Sequence, residues 1–99
     1  MQKRKVTWTK QAFKQFNAAI KFIRKESDQN ADKVKATLLD KINDLSDDRI
    51  THRADPYKKS NDGNYLYFEL LHYRVVYYRT PQEVFIIRLR HTSMEPKKY

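Results

Sequence analysis

Tyr73-Arg74-Val75-Val76-Tyr77-Tyr78-Arg79, Thr80-Pro81-Gln82-Glu83 and Val84-Phe85-Ile86-Ile87-Arg88-Leu89-Arg90-His91 read in succession as strand, turn and strand. Both flanking runs are rich in β-branched and aromatic residues, and Thr80 to Glu83, with proline second, suits a type I turn. Each run also carries cations. Arg74, Arg88 and Arg90, with His91 beside them, concentrate fork-shaped donors that bind phosphate or carboxylate oxygens in pairs. This hairpin is therefore expected both to organise a sheet and to meet a polyanion.

Toward the N-terminus, Tyr65-Leu66-Tyr67-Phe68-Glu69-Leu70 supplies a third strand, completing an antiparallel meander, and the single glycine, Gly63, is expected to launch it with a positive φ. Residues 46–64 lose all periodicity and fill with turn formers and charges, among them Asp55-Pro56, Lys58-Lys59 and Asn61-Asp62-Gly63-Asn64. A loop of this length in a small domain is often functional, which brings Lys58 and Lys59 in as candidate binding cations.

Two helices precede the loop. Ala12, Phe13, Phe16, Ala19, Ile20 and Ile23 keep one apolar stripe at steps of three and four, with Thr9 as N-cap and Trp8 and Phe13 spaced as a hydrophobic staple. Ser27 to Asn30 breaks that helix. A second, capped by Asp28 or Asn30, buries Ala31, Val34, Leu38, Ile42 and Leu45. Lys5 to Trp8 reads as a short opening strand. The order is β-α-α-β-β-β: an α+β fold in which an N-terminal helical hairpin covers one face of an antiparallel sheet, within one domain spanning residues 1–99.

Strand alternation sorts the hairpin's side chains. It is expected to place Phe85, Ile87 and Leu89 under the helices, with Val84, Ile86, Arg88 and Arg90 on the open face. Arg74 joins them there, because an unpaired arginine under the helices would be costly. Pairing of Arg74 or Arg88 with Glu69 is the plain structural alternative to anion binding. His52 and His72 are expected in solvent, His91 at the end of its strand, and Tyr99 frayed beyond Lys97-Lys98.

With 21 Lys plus Arg against 12 Asp plus Glu, the formal charge is +9. Such a potential favours nucleic acid, the ribosome or an acidic protein segment as partner. Without cysteine, and with three scattered histidines, neither a disulfide scaffold nor a zinc motif can be built, so no metal and no other cofactor is expected. No apolar run reaches the ~18 to 20 residues that span a bilayer, and the basic start is not followed by a signal-peptide core. A cytoplasmic location and no membrane partner are expected.

The element order, the Tyr73 to Arg79 strand and the closing Ile87-Arg88-Leu89-Arg90-His91 resemble the RelE/ParE superfamily of bacterial type II toxin–antitoxin toxins. The resemblance covers nearly the whole chain and is most specific in its last 27 residues. It implies a small toxin neutralised by a cognate antitoxin, acidic and partly disordered, that folds over its surface. It also implies one of two activities: RelE-like members cleave mRNA in the ribosomal A site, whereas ParE-like members are not nucleases and poison DNA gyrase. For the nuclease, Arg74 matches the family's phosphate-binding arginine, His91 its C-terminal histidine and Tyr99 its terminal tyrosine, while Arg90 and Arg88 would stabilise charge. The strand from Tyr65 to Glu69 lacks the basic residues of the RelE-like pattern, so Lys58 and Lys59 would substitute only from the loop. A ParE-like gyrase inhibitor is the alternative that Arg88-Leu89-Arg90-His91 fits equally well, and a non-toxic basic RNA-binding domain is a second one.

Overall fold

The computed structural model describes residues 3–94 and 97–99. Strand β1 (Lys5–Trp8) leads into α1 (Lys10–Arg24) and α2 (Asp28–Asn43), which continues into a 3-10 turn at Asp44–Ser46. A two-residue strand β2 (Arg53–Ala54) then precedes β3 (Tyr65–Leu70), β4 (Tyr73–Arg79) and β5 (Glu83–His91). The five strands form one sheet in the order β1-β5-β4-β3-β2.

Thr9 caps α1 as its chemistry requires, its hydroxyl accepting from the Ala12 N–H at 3.2 Å, and Trp8 meets Phe13 edge-on at 6.3 Å. The cap of α2 is Ser27, whose hydroxyl accepts from the Asn30 N–H, so the helix starts earlier than Asp28 or Asn30 would have placed it. Ala12, Phe16 and Ile20 from α1 and Ala31, Val34, Leu38 and Ile42 from α2 join Leu45, Leu66, Phe68, Tyr73, Val75, Tyr77, Val84, Ile86 and Leu89 in one apolar cluster. Helices and sheet thus share a core on one face of the sheet. Phe13, by contrast, stays largely exposed despite its staple.

The meander β3-β4-β5 is antiparallel, as expected, but β1 runs parallel to β5, with Lys5 opposite Glu83 and Trp8 opposite Ile86, which makes the sheet mixed. The crossover sets this direction. β1 must end where α1 turns back over the sheet, and Thr9 ties that point to β5, its N–H and hydroxyl both donating to the Ile86 carbonyl. β2 extends the opposite edge, pairing Arg53 with Tyr67 and Ala54 with Leu66. Between β3 and β4, Leu71 and His72 both adopt positive φ, the requirement of a two-residue turn that matches strand twist. Gly63 has φ +92°, as its position before β3 predicted.

One feature of β5 inverts part of the expected alternation. Val76 pairs with Arg88 and Tyr77 with Ile86, leaving Ile87 as an extra residue, a β-bulge. The bulge resets the phase. Val84 and Ile86 lie in the core ahead of it and Leu89 behind it, whereas Phe85 and Ile87, assigned to the core by strict alternation, are only half-buried. Arg88 and Arg90 keep the face expected for them, opposite the helices.

Leu38 is fully buried between the layers. Leu38→Ala should lower the unfolding free energy by about 2–5 kcal/mol in a urea titration. The same change at Phe22, which is 68% exposed, should stay within about 0.5 kcal/mol.

Candidate functional site

Cross-strand pairing on the face away from the helices writes the site as two rows. One runs Glu69, Arg74, Arg90 across β3, β4 and β5; the next runs Tyr67, Val76, Arg88. Two arginines directly opposite one another repel, so Arg74 and Arg90 can share a row only if other charges compensate. Compensation comes from the loop expected to be structureless, because β2 carries the chain over this face and delivers Asp55 to it.

Asp55 is 2% exposed. Its Oδ1 accepts from Arg74 Nη2 at 2.7 Å and from the Tyr57 N–H at 3.1 Å, and its Oδ2 accepts from the Tyr99 hydroxyl at 2.6 Å. Burial works to raise the Asp55 pKa, but the hydrogen bonds from Tyr99 and Arg74 outweigh it and hold the carboxyl below its ordinary value of 3.8. Arg74 also donates to Glu69 at 3.3 Å and lies 3.6 Å over the Tyr67 ring and 5.0 Å from that of Tyr57. Carboxylates hold both of its terminal nitrogens and two rings flank it, and its predicted place on this face and its possible pairing with Glu69 are both realised.

Tyr99 is not frayed. Its N–H donates to the Tyr57 carbonyl and its carbonyl accepts from the Lys59 N–H at 2.7 Å, so residues 97–99 lie along the loop and cover the face expected to be open. Burial and then the Asp55 carboxylate raise the Tyr99 pKa, keeping the phenol protonated. Arg88 stacks 4.7 Å from the Tyr99 ring and donates to the Lys97 carbonyl at 3.3 Å. Among the described residues it forms no ion pair, and burial together with the Arg90 charge lowers its pKa. Arg90 has a buried Nε with no partner among the described residues.

A small cavity of about 80 Å³ opens among these groups, lined by Asp55, Tyr57, Glu69, Arg74, Val76, Arg88, Arg90, His91, Thr92 and Met94. His91 sits at its rim, where β5 ends. The Ser93 N–H donates to His91 Nδ1 at 3.0 Å, so in the neutral ring the proton resides on Nε2. Lys58 and Lys59 do not line the cavity. Lys58 lies 4.8 Å over the Tyr65 ring and donates to the Lys59 carbonyl, while the Lys59 side chain is exposed.

His52, expected in solvent, is half-buried behind the sheet: its Nδ1 lies 2.8 Å from the Tyr77 hydroxyl and its ring 5.1 Å from Phe68. Burial, then the Lys41 charge, lowers its pKa. His72 is exposed, as expected. Asp55 was legible in the sequence only as half of an Asp-Pro turn signal, and nothing local marks it for burial. Glu69 was visible, but as the partner of an arginine rather than as a cavity carboxylate.

Because its folded pKa is depressed, the Asp55 carboxylate contributes stability that is complete above its unfolded pKa, near 4, and is lost as pH falls through the lower folded value. Asp55→Asn should therefore cost about 3 kcal/mol or more in denaturant unfolding at pH 7, with the gap to wild type narrowing below about pH 4. Tyr99→Phe should cost about 1–2 kcal/mol at pH 7.

Among the described residues no helix is long and apolar enough to cross a membrane. No curated protein matches the chain. A family model described as the ParE toxin of the type II toxin–antitoxin system, parDE, matches residues 6–96, nearly the full length over which the fold has just been traced. The chain thus belongs to the RelE/ParE family of type II toxins, a membership that implies a cognate antitoxin as partner.

Proposed function

We propose that this toxin stops translation by cleaving mRNA on the ribosome, with the cavity beside Arg74 as its active site. What carries the reading is the row Glu69, Arg74, Arg90, flanked by Arg88 and His91, which gathers a carboxylate, three guanidiniums and an imidazole around one small hollow.

The chemistry follows from those groups. The 2′-oxygen of the substrate attacks the adjacent phosphorus while Glu69 takes the hydroxyl proton. Glu69 suits this role because its side chain is half-exposed and held only by the longer of Arg74's two carboxylate contacts. Negative charge grows on the phosphorane oxygens, where Arg88 and Arg90, lacking carboxylate partners among the described residues, supply the compensating donors. Arg74 holds the phosphate from the opposite strand. The bond from phosphorus to the 5′-oxygen breaks, and His91, entering the step in its cationic form, gives that oxygen its Nε2 proton and is left as the neutral ring. The products are a 2′,3′-cyclic phosphate and a 5′-hydroxyl, and a second proton exchange restores both side chains.

Gyrase inhibition is the second reading, and one observation favours it. Arg74 is already satisfied by Asp55, Glu69 and two aromatic rings, as a residue would be that braces a docking surface. The family description, a ParE toxin, is compatible with it.

In a reconstituted translation reaction, the full chain should cut ribosome-bound mRNA. Glu69→Gln and His91→Gln should each slow the cut by about 10²- to 10⁴-fold without loss of fold by circular dichroism. Uncut mRNA, together with stabilised double-strand breaks when the chain is mixed with gyrase and supercoiled DNA, would overturn the nuclease and establish the second reading.

A further inference from the structure

At the other end of β4, on the opposite face of the sheet, two more arginines meet in the wall of a hollow. Arg79 closes β4, five residues from Arg74 and roughly 17 Å away at about 3.3 Å per residue. Its Nη1 donates to the Thr51 hydroxyl at 2.7 Å and its Nε reaches Asn64 Oδ1 at 3.4 Å. Arg4, just before β1, is 6% exposed, and its Nη2 donates to the Asp47 and Ile50 carbonyls at 3.0 and 3.2 Å. Both line a hollow of about 400 Å³ with Asn64, Tyr78, Thr80 and Pro81. Both charges also reach the buried Tyr77 hydroxyl, where they oppose the rise in pKa that burial causes.

These arginines differ from Arg74 in what holds them. Among the described residues neither forms an ion pair, and Arg4 Nε is buried with no hydrogen-bond partner at all. This deeply buried guanidinium is hydrogen-bonded only to neutral oxygens, and the Asp47 carboxylate, itself engaged by Arg49, acts on it only through space. An anion entering the hollow would supply the missing acceptor, and two guanidiniums there match the several oxygens of a phosphate better than a single point charge would.

We infer that Arg4, Arg79 and the surrounding polar groups form a second anion site that takes a phosphate of a nucleic-acid backbone, separate from the cavity at Arg74. Its occupation does not depend on cleavage, so it stands whichever target the toxin has. On a folded polyanion the two sites would grip phosphates at both ends of the sheet and fix the orientation of the chain. Grips of this kind position without reading sequence.

The test uses the full chain, labelled with ¹⁵N, titrated separately with inorganic phosphate, a single-stranded oligouridylate and a poly-glutamate peptide. Saturable shifts of the Asn64, Arg79 and Thr80 amides with phosphate and with oligouridylate, both lost in Arg79→Gln, are the expected result. The oligouridylate affinity should also lose about one unit of its logarithmic salt slope in that variant. Arg79→Lys, which keeps the charge but not the fork, should retain weakened binding and controls for folding. Saturation by phosphate alone would identify a free-phosphate site of the same chemistry. No saturable shift, shifts unchanged in Arg79→Gln, or poly-glutamate binding as tight as oligouridylate would overturn the assignment.

Discussion

A buried aspartate in a chain of net charge +9 is the tie on which the functional face depends. Asp55 holds Arg74 from β4, Tyr99 from the C-terminal segment and the Tyr57 N–H of its own loop at once. Three stretches distant in sequence are thereby drawn onto one face of the sheet. Without a carboxylate there, only the half-exposed Glu69 would screen Arg74 from Arg90 across β4 and β5, and the loop would lose its side-chain tie to β4. The interaction is favourable because it is complete: each oxygen of the carboxylate is engaged, by the Tyr99 hydroxyl and by a charged guanidinium, so desolvation is offset by short hydrogen bonds.

The same tie divides the cations of the site into two kinds. Arg74 is neutralised from within the protein and rigidly placed, whereas Arg88 and Arg90 have no carboxylate partner among the described residues. Under the proposed cleavage, a site that must hold a phosphate steadily and also respond to charge developing on it benefits from both kinds. Preorganised donors act most strongly where little water competes, and the cover provided by Tyr57 and Tyr99 reduces that competition. Glu69 and His91 lie at the border of this cover, where proton exchange with solvent remains open.

Local signals carried most of the fold. The stripes from Ala12 to Ile23 and from Ala31 to Leu45, the Thr9 cap and the Gly63 turn were legible because periodicity and capping are properties of neighbouring residues. The parallel pairing of β1 with β5 was not, since it depends on where the helical hairpin returns the chain. The burial of His52 was hidden for a related reason: only tertiary packing brings it onto Phe68 and Tyr77. The candidate cations Arg74, Arg88 and Arg90 were placed on the correct face, as strand chemistry demands. Their organiser was not found, because an Asp-Pro pair in a polar loop reads as a turn whether its side chain points to water or into the protein.

The bulge at Ile87 has a consequence for how the chain can vary. Ahead of it, β5 answers to the core through Val84 and Ile86; behind it, the strand presents Arg88 and Arg90 to the outer face while Leu89 keeps one hold on the helices. The extra residue works as a phase joint that uncouples two stretches of a single strand. Substitutions beyond the joint can retune charge and reach at the outer face while the packing ahead of it stays constant, so one scaffold can carry differing surfaces toward differing targets.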